Sequence, residues 1–371
     1  MPHILTINAG SSSVRFAIFA SGARPARLLA GKMERIGGET AAVTADRLAQ
    51  KLKSQSSMAA PDAIGHRVVH GMLHSEPERV SATLLTELRR IASLDPEHLP
   101  REIELIEAMQ RQYPNVPQVA CFDTAFHRGM PAEATMLPIP RRYAAKGVQR
   151  YGFHGLSFTF LIQELVRLGD RAASHGRVIL AHLGSGASLA AVLNGRSIDT
   201  SMGFTPAAGL VMGTRSGDLD PGLAGYLMLN ESMNAAQFRA MVNEQSGLLG
   251  ISETSADVRD LLERETTDNR AREAIAIFCY QAKKWIGAYT AALGGLDTLV
   301  FAGGIGENAA AVRRRICDGL QCIGIELDDA RNLEHAALIS TGRVAVRVIR
   351  TDEESVIANL TARCVGISTE E

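Results

Sequence analysis

Two stretches of the chain, far apart, carry the same pattern of apolar and polar positions. Ile4 to Asn8 is a short apolar run that stops at Ala9-Gly10-Ser11-Ser12-Ser13, and Val14 to Phe19 then alternates, with Val14, Phe16 and Ile18 on one face. Val178 to Ala181 is again apolar, stops at His182-Leu183-Gly184-Ser185-Gly186, and is followed by the apolar run Ala187 to Leu193. Short apolar runs bounded by Gly and Ser predict strands, so each stretch reads as a β-hairpin with a small-residue turn. One such hairpin says little. Its recurrence in a second half of the chain predicts a duplicated α/β domain.

Between the hairpins the pattern predicts a strand over Ile64 to His70, helices around 81–93 and 101–112, and a strand over Gln118 to Phe122. A long helix is predicted from Arg270 to Leu293. Its stripe of Ile275, Phe278, Cys279, Ala282, Ile286 and Tyr289 has helical spacing and reads as a core face. Leu299 to Ala302 follows as a strand, and Gly303-Gly304-Ile305-Gly306-Glu307-Asn308 leads into a helix. Val344 to Ile349 is a last strand. Thr351-Asp352-Glu353-Glu354 then opens a terminal helix, with Thr351 and Glu354 at capping-box spacing. No Pro/Ser-rich linker interrupts the chain, so the domain boundary is expected to be a compact hinge.

Length and composition narrow the class. The 371 residues suit two domains, or three. Apolar residues make up 46% and charged residues 21%, an ordinary globular balance. A net charge of −1 gives no sign of a nucleic-acid groove or of binding to an anionic membrane surface. The basic run Arg313-Arg314-Arg315 falls in a helical pattern and reads as a solvated face. The N-terminus lacks the basic start and apolar stretch of a secretory signal, and no 18-residue apolar run predicts a membrane span. Cys121, Cys279, Cys317, Cys322 and Cys364 are scattered without metal-binding spacing. They read as reduced core thiols of a cytoplasmic protein.

The candidate chemistry begins with glycine loops. Gly10–Ser13, Gly184–Ser188 and Gly303–Asn308 each offer backbone N–H groups with little steric obstruction, as phosphate oxygens require. Only the third precedes a helix, and none is a Walker or GxGxxG loop. Any one alone is more often a plain turn; three in matching places point to a nucleotide. Arg67 sits inside the apolar run Gly65-His66-Arg67-Val68-Val69-His70-Gly71, where a charge is costly unless paired. Arg215 sits between glycines in Met212-Gly213-Thr214-Arg215-Ser216-Gly217-Asp218. An arginine fork suits planar oxyanions. The structural alternative is an ion pair, of Arg67 with Asp123 and of Arg215 with Asp218 or Asp220. His98, His154 and His182 lie at turns or element ends, where a histidine is more often structural than catalytic. Asp123 and Glu353 each follow a predicted strand, a common place for magnesium-binding carboxylates in phosphoryl-transfer enzymes.

Taken in order, these motifs resemble the acetate kinase family over nearly the whole chain. The residues are Asn8-Ala9-Gly10-Ser11-Ser12-Ser13, Gly65 to Gly71, Phe122-Asp123-Thr124-Ala125-Phe126-His127, Tyr151-Gly152-Phe153-His154-Gly155, Asp199-Thr200-Ser201-Met202-Gly203, Met212 to Gly217 and Gly304 to Asn308. The resemblance implies two duplicated ribonuclease-H-like α/β domains of the actin and sugar-kinase superfamily, with the site in an interdomain cleft. The N-terminal domain would be 1–127 completed by 355–371, and the nucleotide-binding domain 128–354, with hinges near 127 and 354. It implies magnesium at Asn8 and Glu353, with manganese as the alternative ion, an active-site aspartate at Asp123, and transition-state stabilisers at His154 and Arg215. The acid would be held by Arg67, Val69, His98, Phe153 and Pro206. ATP or ADP would meet Arg15, His182, Leu183, Gly184, Ser185, Gly186, Asp257, Val258, Arg259, Gly304, Ile305, Gly306, Glu307 and Asn308, with Ser11 and Ser13 in the phosphate loop. It also implies a homodimer. The chain departs from the usual family pattern at Arg15 (usually lysine), Ser185 (usually asparagine), Leu156-Ser157-Phe158 (usually Thr-Ser-His) and Glu97, which stands where the family has a pocket leucine.

The implied activity is reversible phosphoryl transfer from ATP to acetate. A carboxylate is ionised at neutral pH and attacks phosphorus without a general base, so the site has to position and neutralise charge. Other readings are a kinase for propionate or butyrate, a pyrophosphate-dependent variant, and, from another class, a catalytically silent nucleotide-binding regulator. A regulator needs the glycine loops but not Arg67, Asp123, His154, Arg215 and Glu353 together.

Overall fold

The computed structural model describes residues 1–10, 13–22, 25–34, 40–55, 60–92, 95, 96 and 98–367. The chain forms two compact units. The first comprises Met1–Arg128, Gly155–Phe160 and Asp352–Glu371; the second comprises Gly129–His154 and Leu161–Thr351.

The first unit is built on strands β1 (His3–Ala9), β2 (Ser13–Ala20), β3 (Ala26–Glu34), β4 (Ala63–Val68), β5 (Glu78–Arg79) and β6 (Gln118–Phe122), in the order β3-β2-β1-β4-β6-β5. β1, β2 and β3 pair antiparallel, while β1, β4 and β6 run parallel. β1 reads as a continuous apolar run because both faces of the sheet are covered. On one face Leu5, Ile7, Val14 and Phe16 pack with Leu48 and Leu52 of the helix Ala41–Gln55 and with Leu105 and Met109 of the helix Leu99–Gln112. On the other, Ile4, Ala17 and Phe19 meet Ala358 and Ala362 of the C-terminal helix Glu353–Val365, and Val119 and Cys121 meet Val356 and Ile357. Gly65 permits this approach, since a Cβ there would lie 2.6 Å from Ile357 Cγ2 and closer still to Thr361 Oγ1.

The second unit repeats the scheme with β7 (Arg177–Leu183), β8 (Ala187–Leu193), β9 (Arg196–Thr200), β10 (Thr298–Ala302) and β11 (Ala345–Val348), in the order β11-β10-β7-β8-β9. Again three antiparallel strands are extended by two parallel ones. The duplication read from the two hairpins is therefore present in the connectivity of both sheets. The long helix spans Asn269–Ala292, and its predicted stripe is buried throughout, from Ile275 to Tyr289.

Several expectations need correction. The terminal helix is capped by Asp352, whose Oδ1 accepts from Ser355 N at 3.1 Å, and not by Thr351, whose N–H donates to Glu307 Oε1. The basic run is not one solvated face. Arg314 and Arg315 pair with Asp329 and Glu265, but Arg313 is fully buried. Its five N–H groups are taken by Gly306 O, Glu307 O, Asn332 O and Oδ1, and His335 Nδ1. Consecutive helical residues are about 100° apart, so the three side chains point in different directions, and Arg313 is the one turned inward with Val312 and Ile316. All five cysteines are free. Cys121, Cys279 and Cys317 are buried, which pushes each thiol up to about 12, whereas Cys322 is exposed. Among the described residues no helix is long and apolar enough to cross a membrane.

Candidate active site

In the first unit, the parallel arrangement of β1, β4 and β6 brings their C-terminal ends to one edge of the sheet, where ligands of α/β folds bind. Asn8 lies near the end of β1, Arg67 near the end of β4, and Asp123 directly after β6. Glu353 opens the C-terminal helix and joins them: Asn8 Nδ2 donates to Glu353 Oε2 at 2.8 Å and to Glu354 Oε1 at 3.4 Å. Arg67 is the centre of the group. Its Nη2 and Nε donate to Asp123 Oδ2 at 2.8 and 3.3 Å, and its Nη1 donates to Ala9 O at 3.2 Å and to Glu102 Oε1 at 3.3 Å. Asp123 Oδ1 accepts from Leu156 N at 3.2 Å. The ion pair with Asp123, the structural alternative for Arg67, is thus formed, and it also holds the guanidinium at the sheet edge.

The electrostatics follow from burial. Burial opposes the Arg67 charge, but the carboxylates of Asp123, Glu102 and Glu353 outweigh it and hold the guanidinium above its ordinary range. Burial, and then repulsion by Asp123, pushes the Glu353 carboxyl up despite Arg67, Asn8 and Arg15. Crowded buried carboxylates of this kind are oxygen donors suited to a hard cation. Among the described residues, however, no three His, Cys, Asp or Glu side chains form a ready-made metal cage.

His98 stands just before the helix Leu99–Gln112 without a side-chain capping bond, and its Nδ1 lies 2.9 Å from Asp95 Oδ1. Val69 is buried. Arg15 is exposed on β2; Ser13 opens that strand and its carbonyl accepts from Gly10 N at 2.8 Å. Ser11 and Glu97 lie outside the described residues.

In the second unit, His154 adopts a left-handed backbone (φ 59°) just before the helix Gly155–Arg167. Its Nδ1 lies 2.8 Å from Ser188 Oγ, and its ring stacks on His182 with centroids 4.2 Å apart. Arg215 Nη1 donates to Pro206 O at 3.0 Å. These groups converge on Gly186, where a Cβ would lie 3.4 Å from His154 Nε2 and 3.7 Å from Arg215 Nη1. Asp218 accepts from Gly209 N and Asp220 caps the helix Pro221–Asn230.

The two glycine loops of this unit are neighbours because β7 and β10 are paired, His182 opposite Ala302. A Cβ on Gly184 would lie 3.9 Å from Gly304 N. Gly303 is in the left-handed region (φ 77°), and any side chain there would meet Leu183 O at 2.6 Å. Ser185 O accepts from Gly213 N at 3.0 Å, which ties this loop to the Arg215 segment. Glu307 Oε1 accepts from Gly303 N at 3.0 Å and from Thr351 N at 3.1 Å, which braces the first turn of the short helix Gly303–Asn308. Asn308 donates to Gly304 O at 2.9 Å, and Ile305 and Gly306 lie within that helix. Asp257 caps the helix Val258–Arg264 and pairs with Arg259, while Val258 is buried. Phe153 is buried beside His154 in sequence, and Pro206 is half-buried.

Two residues of this machinery act through others: Ser188, the last residue of the Gly184–Ser188 loop, and Glu102, which carries no motif of its own. Ser188 fixes one nitrogen of His154. Glu102 holds Arg67 and, through Oε2, accepts from Val69 N at 2.8 Å. A sequence signal for Glu102 does exist: it shares a helix face with Leu99, Ile103 and Ile106, a carboxylate inside an apolar stripe.

The sequence model of the acetokinase family matches residues 39–359. An acetate kinase of Rhodopseudomonas palustris is 40% identical over 96% of each chain. The crystal structure of Porphyromonas gingivalis acetate kinase superposes with a TM-score of 0.89 at 32% identity, covering 98% of this chain and 100% of that one. A propionate kinase from Francisella tularensis superposes with a TM-score of 0.88 at 35% identity, with the same coverage. With its duplicated sheets, its motif order and these likenesses over nearly its full length, the chain belongs to the acetokinase family.

Proposed function

We propose that this enzyme catalyses the reversible transfer of the γ-phosphoryl group of ATP to acetate, giving acetyl phosphate and ADP. A carboxylate oxygen of the acid forms the new bond to phosphorus as the bond to the β-phosphate oxygen breaks, and no proton moves. The observation that carries this reading is the convergence of His154 Nε2 and Arg215 Nη1 on Gly186, next to the paired glycine loops. Donors held there can meet negative charge as it builds on the transferring group. Ser188 Oγ, 2.8 Å from Nδ1, fixes the ring so that Nε2 is the nitrogen turned towards Gly186.

The reading gives Arg67 to the acid carboxylate and Val69, His98, Phe153 and Pro206 to the surround of its short apolar tail. His182 to Gly186, the Asp257–Arg259 turn and Gly303 to Asn308 receive the nucleotide, with Glu307 acting as a brace. Asn8 and Glu353, with Asp123, would hold the magnesium ion, which when bound neutralises the phosphate oxygens. Hydroxamate trapping of the acyl phosphate with acetate, propionate and butyrate, and with ATP or pyrophosphate, tests the assignment. The expected order is acetate with ATP first. Absence of product from every pair overturns the reading in favour of a silent regulator.

We also assign the enzyme to the cytoplasm as a homodimer. Its five free thiols suit a reducing compartment. The helix Pro221–Asn230 buries none of its residues, and Tyr226 and Leu229 are 60% and 85% exposed there. An apolar helix left uncovered is the kind of surface a partner copy buries. Leu229→Asp is expected to shift the sedimentation of the protein from dimer to monomer; a wild-type protein that already sediments as a monomer would contradict the assignment.

A further inference from the structure

We propose that Glu102 sets the affinity of the acid site by dividing Arg67 between the protein and the acid. The inference rests on the assignment of Arg67 to the acid carboxylate and adds a determinant to it. Arg67 has five N–H groups. Nε and one N–H of Nη2 serve Asp123; the two of Nη1 serve Ala9 O and Glu102 Oε1. One N–H of Nη2 is thus left for a ligand among the described residues. An arriving acid meets a guanidinium whose position is fixed on three sides and whose charge is already shared by two buried carboxylates.

Glu102 and Asp123 differ in what they do. Asp123 grips the fork at 2.8 Å, whereas Glu102 touches it at 3.3 Å and spends its other oxygen on Val69 N at 2.8 Å. Glu102 therefore links Arg67 to the backbone of Val69, two residues that the proposed function places around the same acid. Its charge works against any anion bound there. Both Glu102 partners are hydrogen-bond donors, and the other charged or titratable groups acting on it are His98 and Asp95, from the start of its own helix. Beyond them, Asp123 and Glu353 act on Arg67. Burial raises the Glu102 carboxyl to about 7, against the pull of Arg67, so the opposing charge comes on across neutral pH. Its protonation weakens its claim on Arg67 and leaves more of that charge for the acid.

The experiment compares KM for acetate in the wild type and in Glu102→Gln from pH 6 to 8, a range over which acetate stays ionised. The wild-type KM is expected to rise roughly three- to ten-fold over this range, the scale of one partly screened charge near the ligand. Glu102→Gln is expected to have the lower KM at pH 8, a flat profile, and a kcat that changes less than KM. A flat wild-type profile overturns the proposal without reference to any variant, which keeps it decidable if Glu102→Gln folds poorly. An unchanged or raised KM in a Glu102→Gln protein with wild-type thermal stability also overturns it. Arg67→Lys separates the two levels. If it leaves KM unaltered, the assignment of Arg67 to the acid fails; if it raises KM while Glu102→Gln does nothing, only the role of Glu102 fails.

Discussion

Replacing Arg215 with alanine is expected to lower kcat by roughly a hundred- to a thousand-fold, the usual loss when one preorganised donor to developing charge is removed. Arg215 is held by Pro206 O and reaches Gly186, which His154 also faces. In the flattened transition state the charge of the transferring group is spread over three equatorial oxygens, and a donor placed for that geometry meets them better there than in the ground state. KM for acetate should accordingly change far less than kcat. Steady-state kinetics with both substrates checks this, and a wild-type kcat would remove Arg215 from the mechanism.

The second large effect is expected at Asp123. Asp123→Ala should lower kcat and also cost about 3–5 kcal/mol of stability, because it leaves the Arg67 guanidinium buried without its main counter-charge. Arg67 is 14% exposed and Asp123 is 1% exposed, so little water replaces the lost partner. Asp123 also accepts from Leu156 N, and that donor is orphaned by the same change. Asp123→Asn keeps the shape but offers only one acceptor oxygen, so its stability loss should be smaller while kcat still falls. Denaturant unfolding beside kinetics separates the two parts. Unfolding of Asp123→Ala at the wild-type midpoint would show that the pair does not hold the sheet edge together.

Much of the fold is legible in the order of residues alone. The hairpins at 4–19 and 178–193 show the duplication because fully covered strands are written as continuous apolar runs, with glycine turns as punctuation. The helix over Asn269–Ala292 is plain because its stripe is long and regular. Strand β3 is not: its inward positions are Leu29, Gly31 and Met33, and the glycine among them, with Leu28 and Ala30 facing outward, breaks the apolar alternation a strand would show in sequence. Strand β9 is marked only by Asn194-Gly195, a two-residue hairpin turn with φ of 51° and 77°. Arg67, Asp123, His154 and Arg215 are visible as individual residues because motif order marks them. Their supports are harder to see. Glu102 and Ser188 act through other side chains. Motif order marks Asp123 as a carboxylate of the site, but nothing in it marks Glu102, which also touches Arg67. Arg313 shows the same limit: its partners Asn332 and His335 lie some twenty residues away, and no local pattern marks them.

The central claim is that a carboxylate oxygen attacks phosphorus directly. It is tested by supplying ATP, magnesium and acetate labelled with 18O in its carboxylate, then observing the products by 31P NMR. The account predicts acetyl phosphate whose bridging oxygen carries 18O, formed in step with ADP. Acetyl phosphate with an unlabelled bridge, or ADP released with no acyl phosphate, would contradict it.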